Sequence, residues 1–138
     1  MDTNEFTNEH ERNRDESRVL YKDLSFKVIG LAMDVHRKLG HGFLEKVYEN
    51  AMMVLFRKAG IRAIQQAPIK VYFEGEVVGS YIADILVEEK VILELKALDK
   101  LTGAHRAQTL NYLKATGLRL AIIINFGGKR LEYERVVN

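Results

Sequence analysis

The sequence predicts an α/β fold, and three observations carry the prediction. Apolar residues recur at helical spacing through residues 19–59. Strand-type runs follow over residues 61–97, separated by short turn signals. A further helical stretch then leads into Leu120-Ala121-Ile122-Ile123-Ile124, an unbroken apolar run of the kind that fills a central strand covered on both faces. The order is two helices, three strands, one helix and two strands. It makes the third helix a crossover that sets the Ile122 strand parallel to a strand of the preceding meander.

Each element has its own signal. Asp2 to Arg18 mixes acidic, basic and Asn residues around one large apolar side chain, Phe6, and is expected to be a frayed arm or exposed helix. Residues 19–138 are expected to form one domain. Leu20, Leu24, Val28, Leu31, Val35 and Leu39 predict a first helix over Val19–Leu39, stopped by Gly40. Gly40-His41-Gly42 makes a corner into a second helix, about Phe43 to Ala59, with Leu44, Val47, Tyr48, Ala51, Met52, Leu55 and Phe56 on its buried side. Strand-like runs at Ile61–Gln66 and Ile69–Phe73 are interrupted by Pro68, which suits an edge or an irregular first strand. Glu74-Gly75 turns the chain into Ser80–Val87, and Glu88-Glu89-Lys90 into Val91–Ala97. A third helix is predicted from His105 to Ala115, with Leu110 and Leu113 as apolar contacts, and a last strand from Arg130 to Val136.

Composition narrows the function classes. At 138 residues the chain can bury about two-thirds of its unfolded surface. It is 47% hydrophobic and 29% charged, with no cysteine, which excludes disulfides and thiolate zinc sites. No apolar run reaches the ~20 residues that span a bilayer, and Met1 to Ser17 has no signal-peptide core, so a cytoplasmic protein without a membrane partner is expected. A net charge of +2 permits a polyanionic partner without demanding one. No histidine pair has a helical zinc spacing, and His36 reads as structural.

The chemistry-bearing cluster is Asp84, Glu94 and Lys96. Residues two apart on a strand share a face, so Glu94 and Lys96 point one way while Leu93 and Leu95 point the other. With Glu88-Glu89-Lys90 as the loop, Asp84 lies across from Glu94. Two close carboxylates repel unless a cation sits between them, and hard oxygen ligands suit Mg²⁺ or Mn²⁺. The apolar flanks of both strands set these charges on a largely covered hairpin, where unpaired ions are costly.

Three motifs occur in one order: Gly42-Phe43-Leu44-Glu45-Lys46-Val47-Tyr48, then Asp84 with Glu94-Leu95-Lys96, then Gln108-Thr109-Leu110-Asn111-Tyr112. Together, from about His36 to Arg135 and including Asn125-Phe126-Gly127, they resemble the GxxExxY family of the PD-(D/E)XK nuclease superfamily. The resemblance implies a restriction-endonuclease-like core of helix, three-strand antiparallel meander, crossing helix and further strand, preceded by an extra N-terminal helix. It implies Glu45 as the acidic residue from the early helix, Asp84 as principal metal ligand, Glu94 as second ligand and Lys96 as catalytic amine. Ala83 stands where the superfamily's name motif has proline, and His41 where many members of the family carry proline.

Phosphodiester hydrolysis needs a positioned water and neutralisation of charge on the phosphate, which one or two Mg²⁺ ions can serve. Asp84 and Glu94 would hold metal, the Leu95 backbone carbonyl would add an oxygen, and Glu45 would join directly or through water. Lys96 could position the water, stabilise the phosphate or move a proton. His105, Gln108 and Tyr112 form a polar stripe at i, i+3 and i+7, expected with Tyr48 to meet substrate. Lys100, Arg106, Lys114 and Lys129 could add a basic rim. The expected partner is nucleic acid, DNA or RNA, cut with Mg²⁺ or Mn²⁺ as cofactor, by a chain that could act as a homodimer. The alternative is a noncatalytic nucleic-acid-binding or protein-interaction module that keeps the nuclease architecture.

Overall fold

The computed structural model describes residues 21–138. The arm expected over Asp2–Arg18, and Val19 and Leu20 of the first predicted helix, lie outside these. Helices α1 (Lys22–Leu39) and α2 (Glu45–Ala59) come first, then strands β1 (Ala63–Phe73), β2 (Glu76–Val87) and β3 (Val91–Lys96). Helix α3 (Gly103–Thr116) and strands β4 (Leu120–Asn125) and β5 (Glu132–Val137) complete the order. The strands form one sheet in sequence order, β1-β2-β3-β4-β5. Among the described strands only β3 and β4 run parallel, as the crossover predicts. The architecture is the α/β, restriction-endonuclease-like one, with its extra N-terminal helix.

The sheet has a core on each face. Val28, Val35, Tyr48, Met52 and Phe56 of α1 and α2 cluster with Leu93, Leu95, Ile122 and Ile124. On the other face Leu113 of α3 clusters with Ala83, Ile92, Ala121 and Ile123. All six residues of β4 are buried, which accounts for the unbroken apolar run.

Strand β2 begins at Glu76 rather than Ser80 and α3 at Gly103 rather than His105, and three further boundaries differ from expectation. Helix α2 begins at Glu45 rather than Phe43, and Leu44 and Val47, expected inside, are 80% and 38% exposed. Tyr48, Met52 and Phe56 recur every fourth residue and centre the buried stripe, so the ~100° step per residue turns Val47 to its margin. Strand β1 runs through Pro68, which pairs with Ile82. Proline is tolerated because β1 is the sheet edge and its missing N–H faces no further strand. Strand β5 starts at Glu132, two residues later than predicted, after the turn at Gly127-Gly128.

That turn is held against the end of β3. A Cβ on Gly127 would lie 2.2 Å from the Leu98 carbonyl oxygen and 2.4 Å from its nitrogen. Asn125, fully buried, directs most of its amide to the same loop, while its Nδ2 also donates to Glu132 Oε1 at 3.0 Å. Its Oδ1 accepts the N–H groups of Leu98 at 2.8 Å and Gly127 at 3.1 Å, and its Nδ2 donates to the Leu98 carbonyl at 3.0 Å. The segment after Lys96 is thereby tied to β4.

Gly127→Ala should lower stability by about 2–4 kcal/mol, because the obstructing atoms are backbone. Gly30→Ala, at an open position inside α1 with nothing within 4 Å of the added Cβ, should raise it by about 0.5–1 kcal/mol. Denaturant titrations of the two variants check both signs.

Candidate active site

The sheet opens at Asp84. Pairs Val87↔Val91, Leu86↔Ile92 and Ile85↔Leu93 set a register that continues to Asp84 opposite Glu94, as the loop length predicts. Yet the β2–β3 ladder stops at Ile85↔Leu93, although β3 continues to Lys96. At the next step the Leu95 N–H donates to the Asp84 side chain, 2.7 Å to Oδ2. Strand β2 also changes face here: Ala83 and Ile85 are both fully buried, but in opposite cores. A regular strand would put residues two apart on one face. On β1, Gln66 has φ +52° and drops out of the pairing between Gln65↔Ile85 and Ala67↔Ala83.

The opening leaves backbone oxygen available. The N–H and C=O of one strand residue point to the same neighbour, so the Leu95 carbonyl is directed to the Asp84 side. The Lys96 carbonyl points the other way and accepts the Phe126 N–H at 2.8 Å.

Asp84 and Leu95 line a cleft of ≈ 580 Å³ together with Phe43, Leu44, Glu45 and Glu49. Glu45, in the first turn of α2, is exposed there, whereas Glu49 one turn later is buried. Glu49 is fully engaged: Lys46 and Gln65 donate to Oε2 at 2.7 and 2.5 Å, and Gln66 to Oε1 at 2.6 Å. The positive φ at Gln66 lets two consecutive glutamines reach one carboxylate. Sequence patterning missed Glu49, Gln65 and Gln66; the available signals were an acid four residues after Glu45 and a Gln pair inside an apolar strand.

Protonation differs among the three carboxylates the helix and sheet bring together. Burial pushes Glu94 up to about 7, with Glu45 adding to the effect and Lys96 opposing it. Its Oε1 is buried without a hydrogen-bond partner. Asp84 is also raised, first by burial and further by Glu49 and Glu45, while the Leu95 N–H and Lys96 pull it down. Burial would raise Glu49 too, but hydrogen bonds from Gln65, Lys46 and Gln66 together hold it below the usual range.

A sequence profile of the PD-(D/E)XK nuclease superfamily matches residues 22–136, which takes in both helices, the opened hairpin and the crossover. The chain belongs to the PD-(D/E)XK nuclease superfamily. The crystal structure of SSO0001 shares its fold, with a TM-score of 0.53 and 16% identity over 93% of this chain. The chain spans 62% of the length of SSO0001. No curated protein sequence matches it.

Membership in a nuclease superfamily accords with a nucleic-acid substrate and a divalent cation, and the donor set can be tested against one. Among the described residues no three His, Cys, Asp or Glu side chains converge as a ready-made cage. Mg²⁺ needs none, since it commonly takes one or two carboxylates and fills its remaining positions with water and phosphate oxygens. The unpartnered Glu94 oxygen and the Asp84 carboxylate are hard oxygen donors of the type a divalent cation takes, so the residues fit.

Other predicted site residues are placed differently. Tyr48, expected at substrate, is wholly buried. Its hydroxyl donates to the Gly40 carbonyl at 2.7 Å, and its ring stacks on Phe126 at 4.6 Å, so it braces the corner ahead of Glu45. His105 is turned to the start of α3, where its Nδ1 accepts the Thr102 N–H at 3.2 Å in a capping box. Gln108 does face outward and donates to the Tyr112 hydroxyl at 3.1 Å, but the Tyr112 ring stacks on Tyr81 of β2 at 3.8 Å. Arg106, expected on a basic rim, pairs with Glu134 of β5. His36 is structural, as expected, through a 2.9 Å contact between Nε2 and the Gly128 carbonyl.

The raised Glu94 gives a stability signature with a definite sign. An acid whose folded pKa lies above its unfolded value favours the fold most below the unfolded value. The metal-free protein should therefore lose stability, by up to about 3 kcal/mol, as pH rises from 4.5 to about 7. Glu94→Gln should flatten that part of the profile, measured as melting temperature against pH in chelator.

Proposed function

We propose that the protein is a Mg²⁺- or Mn²⁺-dependent nuclease that hydrolyses phosphodiester bonds of DNA, with RNA as the alternative substrate. The observation that carries the reading is the opened β2–β3 ladder. It sets the Asp84 carboxylate beside the Leu95 backbone and leaves a buried Glu94 oxygen without a partner. Asp84, Glu94 and the Leu95 carbonyl would hold the cation, with Glu45 joining directly or through water. The cation, when bound, neutralises charge on the phosphate under attack. Lys96, which shares a face with Glu94, orients the attacking water or steadies the phosphate from the protein side. Gln108, outward-facing on α3, contacts substrate beyond the scissile bond.

Within the superfamily we propose the GxxExxY family, a reading supported by Gly42, Glu45 and Tyr48 at their spacing ahead of Asp84 and Glu94-Leu95-Lys96. Residues 19–138 act as one domain, and a cysteine-free chain in which no described helix is long and apolar enough to cross a membrane suits the cytoplasm. A homodimer would bring two such sites to one duplex.

Asp84→Ala and Lys96→Ala should each abolish Mn²⁺-dependent cleavage of a labelled DNA mixture, by about 10³-fold or more, while circular dichroism remains native. Undiminished activity in both purified variants rules the assignment out. Nucleic-acid binding by the wild type without turnover would assign instead a binding module on a nuclease fold.

A further inference from the structure

The cleft has an apolar rim that phosphodiester chemistry does not use. Phe43 and Leu44 line it beside Glu45 and Asp84, and they are 46% and 80% exposed. Leu44 occupies the N-cap of α2 in extended conformation and makes no side-chain cap. An apolar residue is among the poorest choices at that position for helix stability, so its presence is unexplained by the helix. Phe43 is anchored: its ring meets Tyr48 edge-on at 6.1 Å and 78°, and its N–H approaches the Tyr48 hydroxyl at 3.3 Å. Tyr48 in turn stacks on Phe126 in the core. The rim is therefore a mounted apolar surface, a few residues from the carboxylates.

A phosphate or a sugar gains little from an apolar side chain, whereas the face of a base gains dispersion and loses water there. Inside a duplex both faces of every internal base are already stacked on neighbours. We propose that Phe43 and Leu44 receive an unstacked base adjoining the phosphate held at Asp84, so that this site acts on single-stranded nucleic acid. The inference rests on the nuclease reading of the cleft and specifies its substrate. The charge of the lining adds a condition: Glu45, Glu49 and Asp84 outnumber Lys46, so strand binding requires a divalent cation.

The test measures binding by fluorescence anisotropy in Ca²⁺ and in chelator, using the full chain. The probes are labelled oligo(dT), labelled oligo(U) and a blunt DNA duplex of equal length. With Ca²⁺ the wild type should bind at least one single strand about tenfold more tightly than the duplex, and the two single-strand arms distinguish DNA from RNA. Phe43→Ala and Leu44→Ala should each weaken single-strand binding about five- to tenfold while circular dichroism at the assay temperature stays native, and Met33→Ala, an exposed apolar control on α1, should not weaken it. Equal wild-type affinity for duplex and single strands overturns the proposal, as does a preference that survives both rim substitutions. Self-association in sedimentation that the same substitutions abolish, without loss of strand binding, assigns the rim to a second copy and also overturns it. A wild type that cleaves duplex and single strands alike removes this inference and leaves the nuclease reading standing; a strand preference without cleavage does the reverse.

Discussion

A carboxylate that accepts a backbone N–H inside a sheet interrupts the ladder at that point, and the hydrogen bond from Leu95 to Asp84 has this effect on the β2–β3 pair. Hydrogen bonds to a charged group contribute about 1.5–3 kcal/mol, whereas leaving an ionised carboxylate buried without compensation costs more. Asp84 thus remains raised despite its bond, because burial and the nearby Glu49 and Glu45 outweigh the Leu95 N–H and Lys96. The same opening directs the Leu95 carbonyl toward Asp84 and turns β2 over between Ala83 and Ile85. Site and sheet irregularity are one feature.

Rigid elements surround this opening. Strand β4 is buried along its length, and its last residue, Asn125, ties the loop after Lys96 in place through Leu98. Glu49 joins α2 to Gln65 and Gln66 of β1, beside the cleft. Tyr48 binds the Gly40 carbonyl and stacks on Phe126, which fixes the corner from which Phe43, Leu44 and Glu45 reach the cleft. Asn125, Glu49 and Tyr48 in this frame all have hydrogen-bond partners, while Glu94 keeps an unpartnered oxygen. A buried carboxylate oxygen without a partner is where a cation would contribute most.

Much of this was legible in the chain. A three-residue loop at Glu88-Glu89-Lys90 sufficed to align Asp84 with Glu94, because antiparallel register follows from loop length. The all-apolar run at Ile122 marked a covered central strand, and a helix between it and the meander implied a parallel pairing with a meander strand, which is β3 in the structure. Side-chain destinations were less legible. Tyr48 and Glu45 are three residues apart on one helix, yet one is core and the other lines the cleft, since the buried stripe centres on Tyr48, Met52 and Phe56. His105 fell in a polar stripe with Gln108, but its place at the third position of α3 let Thr102 claim its ring. Glu49 looked like any helical acid, and its partners lie 16 and 17 residues onward on β1.

Periodicity, loop lengths and the order of motifs determined the elements, the antiparallel hairpin and the neighbours Asp84, Glu94 and Lys96, because those depend on local geometry repeated along the chain. Tertiary structure alone decided that the ladder breaks at Asp84, that Gln66 flips to serve Glu49, and that Glu94 is buried enough to be pushed up to about 7. These outcomes depend on which groups remain without partners after the sheet and helices close. That sum runs over residues distant in sequence, and no local pattern contains it.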